Sequence, residues 1–471
     1  MEYKIYAAGE FISTSSKLMV TNPYNGDIIA NTYLAQKEDL EAVIEKALRV
    51  KTEMAALPSF KRYEILMCIA AALTKNKDRL ALLLCLESGK PIKHARIEID
   101  RAVQTFTVAA EEAKRLPKEY ISLDWSSNGY NKEGFIKYFP IGLVGGITPF
   151  NFPLNLAAHK IAPAIASGNP IIIKPASSTP LSCLELAKII DETELPKGAF
   201  SVLPMNRDVG NLLVTDERIK LLSFTGSAEI GWKMKNECGK KRVVLELGGN
   251  AAAVITSSAD VDVAVSKCVS GAFSYSGQVC IKVQRIYVHK TVFENFSKKF
   301  LAAIAILKKG NPADEQTDVS VLIDQNNADR VEAWVNEAVY NGAVLLCGGK
   351  KDGAFFEPTV LSNTNSSMKV NCQEIFGPVV TLEEFEDFHD ALHKLNDSSF
   401  GLQAGVFTNN IKEMNFAFSN IEAGAVIIND VPTFRMDHMP YGGVKDSGFG
   451  REGIKYAIAD MMEPRLLVKD C

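Results

Sequence analysis

The sequence predicts an α/β protein with more than one domain. Three observations lead there. The chain has 471 residues, whereas single hydrophobic cores stop growing near ~250–300 residues. From 140 to 255, short apolar runs alternate with helical patterns, as strands and crossover helices do in a parallel sheet. A second alternating stretch follows over 250 to 430.

Taken in order, residues 3 to 35 read as short strands broken by turns at Asn22-Pro23 and Asn25-Gly26. From 38 to 115 apolar residues recur at helical spacing, as in Leu40, Val43, Ile44 and Ala47, then Ile65, Leu66, Ile69 and Ala70. Gly89-Lys90-Pro91 separates two of these helices. Residues 119 to 139 are aromatic, polar and alternating, and read as a hairpin or extended arm. The first α/β stretch has strand candidates at 142–147, 170–173, 199–203, 220–224 and 242–246. The second has them at 251–255, 284–289, 344–347, 379–384, 404–407 and 425–428. The remainder, 431–471, reads as a Gly-rich loop, a short helix and a final strand.

Composition removes several function classes. Hydrophobic content of 47% and charged content of 23% are those of an ordinary globular protein. A net charge of −4 argues against a nucleic-acid or membrane-surface role. The first residues lack the basic and apolar regions of a signal peptide. Nine scattered cysteines with no C-x-x-C pair fit a reducing compartment, so a cytoplasmic location is expected. Six histidines form no cluster, and no metal site is expected.

One motif misleads. Gly448-Phe-Gly-Arg-Glu-Gly453 matches the dinucleotide fingerprint G-x-G-x-x-G. That fingerprint needs a strand before it, a helix after it and a βαβ unit around it. A loop precedes this one and the chain stops at 471, so a tight turn is the expected role.

Five other segments carry chemistry. Thr148-Pro-Phe-Asn-Phe-Pro153 follows a strand candidate and offers the Asn151 amide, or merely an Asx turn. Lys174 ends the apolar run Ile171-Ile-Ile-Lys174, where parallel sheets bind ligands, or it is a solvated strand end. Leu222-Ser-Phe-Thr-Gly-Ser227 runs into a helical pattern, whose N-terminus suits an anion; Ser227 is also a candidate N-cap. Glu246 lies in an apolar strand, where desolvation would raise its pKa toward general-base use, unless it faces the surface. Cys280, in Ser276-Gly-Gln-Val-Cys-Ile281, follows a Gly turn and precedes an apolar run read as a strand. A lone Cys is usually an inert small hydrophobe, and the other eight are expected to be so, with Cys471 at the tail a candidate for exposure.

In order and spacing these segments resemble the aldehyde dehydrogenase superfamily over essentially the whole chain. Glu374-Ile-Phe-Gly-Pro378 and Met439-Pro-Tyr-Gly-Gly-Val-Lys-Asp-Ser-Gly448 add to the likeness. Gln278-Val-Cys-Ile281 and Phe434-Arg-Met-Asp-His-Met-Pro440 make it most similar to the lactaldehyde-dehydrogenase-like branch. The resemblance implies a Rossmann-like cofactor domain over 1–117 and 140–248, a catalytic domain over 249–440, and an oligomerisation element of 118–139 and 458–471. It implies NAD or NADP as cofactor, a small aldehyde as substrate, and a homodimer or homotetramer.

Roles carry over by the same likeness. Cys280 would attack the aldehyde as thiolate, Asn151 and the Cys280 N–H would hold the oxyanion, and Glu246 would activate the hydrolytic water. Lys174 would bind the adenine-side ribose, Gly226 and Ser227 the pyrophosphate, and Glu374 the nicotinamide ribose. Thr148, Pro149, Phe150, Leu247 and Phe376 would line the cofactor.

Departures from the family pattern refine this. Ser177 stands where strictly NAD-using relatives often place Glu, so NADP should be accepted. Val279 stands where relatives handling phosphorylated aldehydes place Arg, which disfavours such substrates. Phe152, Phe434, Arg435 and His438 are candidates for contact with the substrate, and Arg101 is a weaker one, since helix arginines usually face water. The leading reading is oxidation of a small hydroxyaldehyde such as lactaldehyde or glyceraldehyde. Succinate semialdehyde is the rival substrate. A CoA-acylating enzyme would generally lack Glu246, and a non-catalytic protein would be free to lose Cys280, Asn151 or Glu246; all three are present.

Overall fold

The computed structural model describes residues 1–470; Cys471 lies outside the described residues. Two large sheets organise the chain. The first has eight strands, in the order Glu10–Ile12, Ile5–Ala7, Phe200–Val202, Ile171–Lys174, Val144–Ile147, Leu221–Thr225, Arg242–Glu246 and Gly448–Phe449. The five central strands are parallel, and strands at both edges run antiparallel. Their residues are apolar without alternation because both faces are covered. On one face lies the wholly buried helix Asn155–Ser167. It approaches closely because Gly146 leaves room: a Cβ there would meet Ile173 Cδ1 at 2.5 Å and Lys160 Cδ at 3.3 Å.

Val144–Ile147 comes first among the central strands. The next two strands lie on one side of it and the following two on the other. The order therefore reverses between Val144–Ile147 and Leu221–Thr225, which opens a crevice at their carboxyl ends.

The second sheet has seven strands, in the order Val344–Cys347, Thr359–Ser362, Val379–Phe385, Arg285–His289, Ala252–Ile255, Gln403–Phe407 and Ala425–Ile428. All its pairings are parallel except the first. Every strand candidate in the two α/β stretches is a strand, with ends displaced by two residues at most. The strand Thr359–Ser362 is additional. It is confined between Pro358 and the left-handed Asn363, φ 55°, and only Val360 and Leu361 of its residues are apolar.

The third unit is antiparallel. Lys132–Pro140 lies between Lys118–Ser122 and Met462–Asp470, and the last of these is an unpaired edge. Leu466, Leu467 and Val468 are exposed along it. Among the described residues no helix is long and apolar enough to cross a membrane.

Two local expectations fail. Cys280 is not followed directly by a strand; residues 281–284 are irregular and the strand begins at Arg285. Not all the other cysteines are buried: Cys68 is exposed on the helix Ser59–Lys75, opposite Ile65, Leu66 and Ile69. The Gly448 motif is less of a loop than expected. Gly448–Phe449 is an edge strand against Leu245 and Glu246, and left-handed Gly450 and Gly453 turn the chain into the helix Ile454–Asp460.

Candidate active site

Strand register brings the predicted residues to one level. Ile147 pairs with both Phe224 and Lys174, and Thr225 pairs with Glu246. The loops beginning at Thr148, Gly226 and Leu247 therefore leave the sheet at the same edge. A cavity of about 690 Å³ opens there, and Cys280, Asn151, Glu246 and Glu374 all line it.

Cys280 arrives on a strained turn. Tyr275, Ser276 and Gly277 have φ of 50°, 53° and 70°, a run that non-glycine residues rarely adopt. Surrounding bonds impose it. Tyr275 donates its hydroxyl to the Ser88 carbonyl at 3.0 Å, and Ser276 donates to the Ser320 carbonyl at 2.7 Å. A Cβ on Gly277 would lie 2.3 Å from the Gly377 carbonyl oxygen. Burial pushes the Cys280 thiol up to about 11, with Glu374 and Glu246 adding to the effect and Tyr441 and Arg435 opposing it.

Asn151 donates its amide to the Gln278 carbonyl at 2.9 Å, which joins its loop to the turn that carries Cys280. The same nitrogen carries a second N–H. The loop is held from below by Glu98, whose carboxylate accepts the N–H groups of Leu154 and Asn155 at 3.0 and 3.1 Å. Glu98 in turn pairs with fully buried Lys90, and the Lys90 ammonium lies 3.9 Å from the Phe152 ring centroid.

Glu246 is buried, and neither carboxylate oxygen has a hydrogen-bond partner. Desolvation raises its pKa well above 4.5 and nearby Glu452 adds to this; Arg435, Lys160 and Arg451 oppose it. Glu452 is held ionised instead, at about 2, because Lys160 at 3.1 Å and Arg435 at 3.2 Å offset its burial.

Glu374 accepts the Gly249 N–H at 3.0 Å, and burial pushes its pKa up to about 7. A Cβ on Gly248 would fall 2.3 Å from its Oε2, so a larger residue there would displace the carboxylate. Phe376 has φ of 44° and meets Phe150 edge-on at 5.8 Å. Buried Lys282 holds this segment by donating to the carbonyls of Gly377 and Val379.

The aldehyde dehydrogenase family model matches residues 11–467. The chain belongs to that family. It is 42% identical to a lactaldehyde dehydrogenase of Methanococcus aeolicus, over 98% of this chain and 99% of that protein. It is 41% identical to a 3-sulfolactaldehyde dehydrogenase of Priestia aryabhattai, over 99% and 98%. Among solved structures it resembles aldehyde dehydrogenase 21 of Physcomitrella patens in complex with the reaction product succinate. That match has a TM-score of 0.98 and 44% identity, over 100% of this chain and 98% of that one. It also resembles a glyceraldehyde-3-phosphate dehydrogenase of Methanocaldococcus jannaschii complexed with NADP, with a TM-score of 0.93 and 39% identity, over 96% and 99%. The chain is therefore an oxidoreductase that acts on aldehydes and depends on NAD or NADP.

In this aldehyde dehydrogenase the cofactor candidates divide into two groups. Pro149, Phe150, Gly226, Ser227, Leu247, Glu374 and Phe376 line the cavity. Thr148, Lys174 and Ser177 do not. Thr148 is buried and donates its N–H to the Lys174 carbonyl at 3.1 Å. The Lys174 side chain lies along the neighbouring helix, where a Cβ on Gly210 would be 2.7 Å from its Cε, and burial lowers its pKa. Ser177 is exposed. Ser227 is the N-cap of Ala228–Glu237, but its side chain makes no capping bond, contrary to the simple capping role. The residues fit a dinucleotide: a buried carboxylate with spare acceptor capacity, a glycine turn before a helix N-terminus, and the topological switch point coincide.

The substrate candidates need correction. Phe152 and Arg435 line the cavity, but Phe434 and His438 do not; Phe434 is 44% exposed and His438 also faces outward. The loop twists so that Arg435 and Asp437 point inward to charged partners, which leaves their neighbours outside. Arg101, the weaker candidate, also lines the cavity, where it pairs with Asp437 at 2.6 Å. Sequence reasoning passed over Lys90, Glu98, Tyr441 and Glu452. Lys90, Tyr441 and Glu452 each lay inside a quoted segment, Gly89-Lys90-Pro91, the Met439 motif and the Gly448 motif, but as ordinary turn and loop residues; Glu98 lay in none.

Proposed function

We propose that this dehydrogenase oxidises a small aliphatic hydroxyaldehyde, such as lactaldehyde or glyceraldehyde, to its carboxylate, with Cys280 as nucleophile. The observation that carries the reading is one cavity shared by Cys280, Asn151, unpaired Glu246 and Glu374. The Cys280 thiolate adds to the carbonyl carbon, and the Asn151 amide with the Cys280 N–H receives the negative oxygen. One such donor is worth about 2.7–4 kcal/mol of barrier. When bound, NAD or NADP would supply the hydride acceptor that converts the thiohemiacetal on Cys280 to a thioester. Glu246 then removes a proton from water as it attacks the thioester.

Glu374 would accept from the nicotinamide-side ribose, Gly226 and Ser227 would hold the pyrophosphate, and Lys174 the adenine-side ribose. The first sheet would form the cofactor domain and the second the catalytic domain. The arm with its unpaired apolar edge suits a homodimer or homotetramer. The scattered cysteines without a disulfide pattern favour the cytoplasm.

For the far end of the substrate, the aromatic wall and Val279 favour a short, unphosphorylated chain, and Arg101 and Arg435 favour a hydroxyl or acid group on it. Succinate semialdehyde is the second reading. It is favoured by the buried, unpartnered Nε of Arg435 and by the succinate bound to the Physcomitrella relative. Initial rates of cofactor reduction with lactaldehyde, glyceraldehyde and succinate semialdehyde test both. Turnover of the hydroxyaldehydes, abolished by Cys280→Ala, is expected. A preference for succinate semialdehyde would select the second reading, and full activity of Cys280→Ala would remove the mechanism.

A further inference from the structure

The steps above leave the hydroxyl of Tyr441 without a task. It lies 3.2 Å from Cys280 Sγ, in the buried wall of the cavity. Its position is fixed from two directions. The backbone of Tyr441 exchanges hydrogen bonds with Glu452, at 3.0 Å for its N–H and 2.6 Å for its carbonyl. Its ring is covered by Arg435, whose guanidinium carbon is 3.6 Å from the centroid, and Arg435 is itself paired with Glu452.

A thiolate can only accept hydrogen bonds, so the phenol is necessarily the donor once sulfur is ionised. A cation over the ring draws density from it and strengthens the O–H donor. The need for a donor is plain from the surroundings of the sulfur. Burial, Glu374 and Glu246 all disfavour the thiolate, and only Tyr441 and Arg435 favour it.

We propose that the Tyr441 hydroxyl is a catalytic hydrogen-bond donor that holds the Cys280 sulfur as thiolate, both before attack and when the thioester is cleaved. The inference rests on Cys280 being the nucleophile. In the first step the thiol proton has already passed to water, a sulfur lone pair forms the C–S bond, and the carbonyl π pair moves to oxygen. In the last step water has added, the C–S bond breaks, and its pair returns to sulfur. The phenol keeps its proton throughout and donates to the sulfur at both moments.

The test is the pH dependence of Cys280 alkylation by iodoacetamide, read on the Cys280 peptide by mass spectrometry, in wild type and Tyr441→Phe. The kcat/KM profile is measured alongside. A charge-assisted bond of this kind corresponds to a shift of about one to two pH units. The alkylation midpoint of Tyr441→Phe should therefore rise by that amount, with about ten- to hundredfold slower alkylation at pH 7 and a parallel displacement of the kcat/KM limb. An unchanged midpoint overturns the proposal even if activity falls, since Phe keeps the ring and its packing against Arg435. A midpoint that moves in Tyr441→Leu but not in Tyr441→Phe overturns it too, by assigning the effect to the ring. Dehydrogenase activity persisting in Cys280→Ala would instead remove the nucleophile reading, and this inference with it.

Discussion

Arg101 and Asp437 lie 336 positions apart, and the guanidinium of the first donates to the carboxylate of the second at 2.6 Å. The same oxygen, Asp437 Oδ1, also accepts from His159 Nε2 at 2.9 Å. Burial lowers the His159 pKa, and because a carboxylate only accepts, Nε2 is the donor in this contact. One carboxylate thus clamps the loop bearing Arg435 and Tyr441 onto two helices, Ile92–Ala113 and Asn155–Ser167.

Replacing Asp437 with Ala should release that loop. The loss of stability is expected to be at most about 3 kcal/mol, because Arg101 keeps partial contact with water. kcat/KM should fall with it, while Asp437→Asn keeps most of both. His159 and Arg101 hold the Asp437 carboxyl well below its ordinary range. Its contribution is therefore complete above the usual carboxylate pKa and lost only as pH falls through the folded value. Urea denaturation at neutral pH checks the clamp: equal midpoints for Asp437→Ala and wild type would discard it.

Lys90 and Glu98 form an ion pair with no exposure on either side chain. Lys90→Met leaves the carboxylate buried without its cation and should cost about 3–5 kcal/mol. The double variant Lys90→Met/Glu98→Gln should recover much of that, because no unpaired charge remains. A double-mutant cycle by chemical denaturation measures the coupling, and additive losses would show that the pair does not hold the Asn151 loop as described.

Glu246→Gln should retain thiohemiacetal and thioester formation and lose hydrolysis. Steady-state turnover is expected to drop about 10²–10⁴-fold, with a burst of cofactor reduction equal to the enzyme concentration. Absence of the burst would place the defect before the thioester. The contribution of Glu246 to stability should fall as pH rises. A carboxyl whose folded pKa is raised binds more protons folded than unfolded, so its contribution is full below 4.5 and lost as pH rises through the folded value. Glu246→Gln should thus gain on wild type as pH increases, which thermal melts from pH 5 to 9 would reveal.

Ser177→Glu tests cofactor choice. An added carboxylate near the adenine-side ribose would repel a 2′-phosphate and could accept from a free hydroxyl. KM for NADP should rise about tenfold or more, a cost of roughly 1.4 kcal/mol or greater, while KM for NAD stays level or falls. Equal effects on the two cofactors would show that position 177 does not face the 2′ group.

The sheets were legible because apolar runs of β-branched residues between Gly and Pro punctuation are local signals. Ile171–Lys174 and Ala252–Ile255 needed only their own residues to be found. Thr359–Ser362 is as short but has only Val360 and Leu361 apolar, so its local signal is weaker and it was missed. Cys280, Asn151 and Glu246 were found from ordered motifs, yet the sequence left open whether Glu246 was solvated or salt-bridged. It is neither, since both its oxygens lack partners inside the fold.

The sequence by itself determined the α/β class, the order of strands, the family and the residues at the carboxyl edge of the first sheet. All of these depend on neighbours in the chain, or on motifs whose order is preserved. Tertiary structure alone decided which loop residues face the cavity. Arg101 and Arg435 turn inward, and His438 and Phe434 outward, because the charges that satisfy the first pair come from helices and loops far away in sequence. A buried guanidinium needs a carboxylate within bonding distance, and only the folded chain brings Asp437 to Arg101 and Glu452 to Arg435.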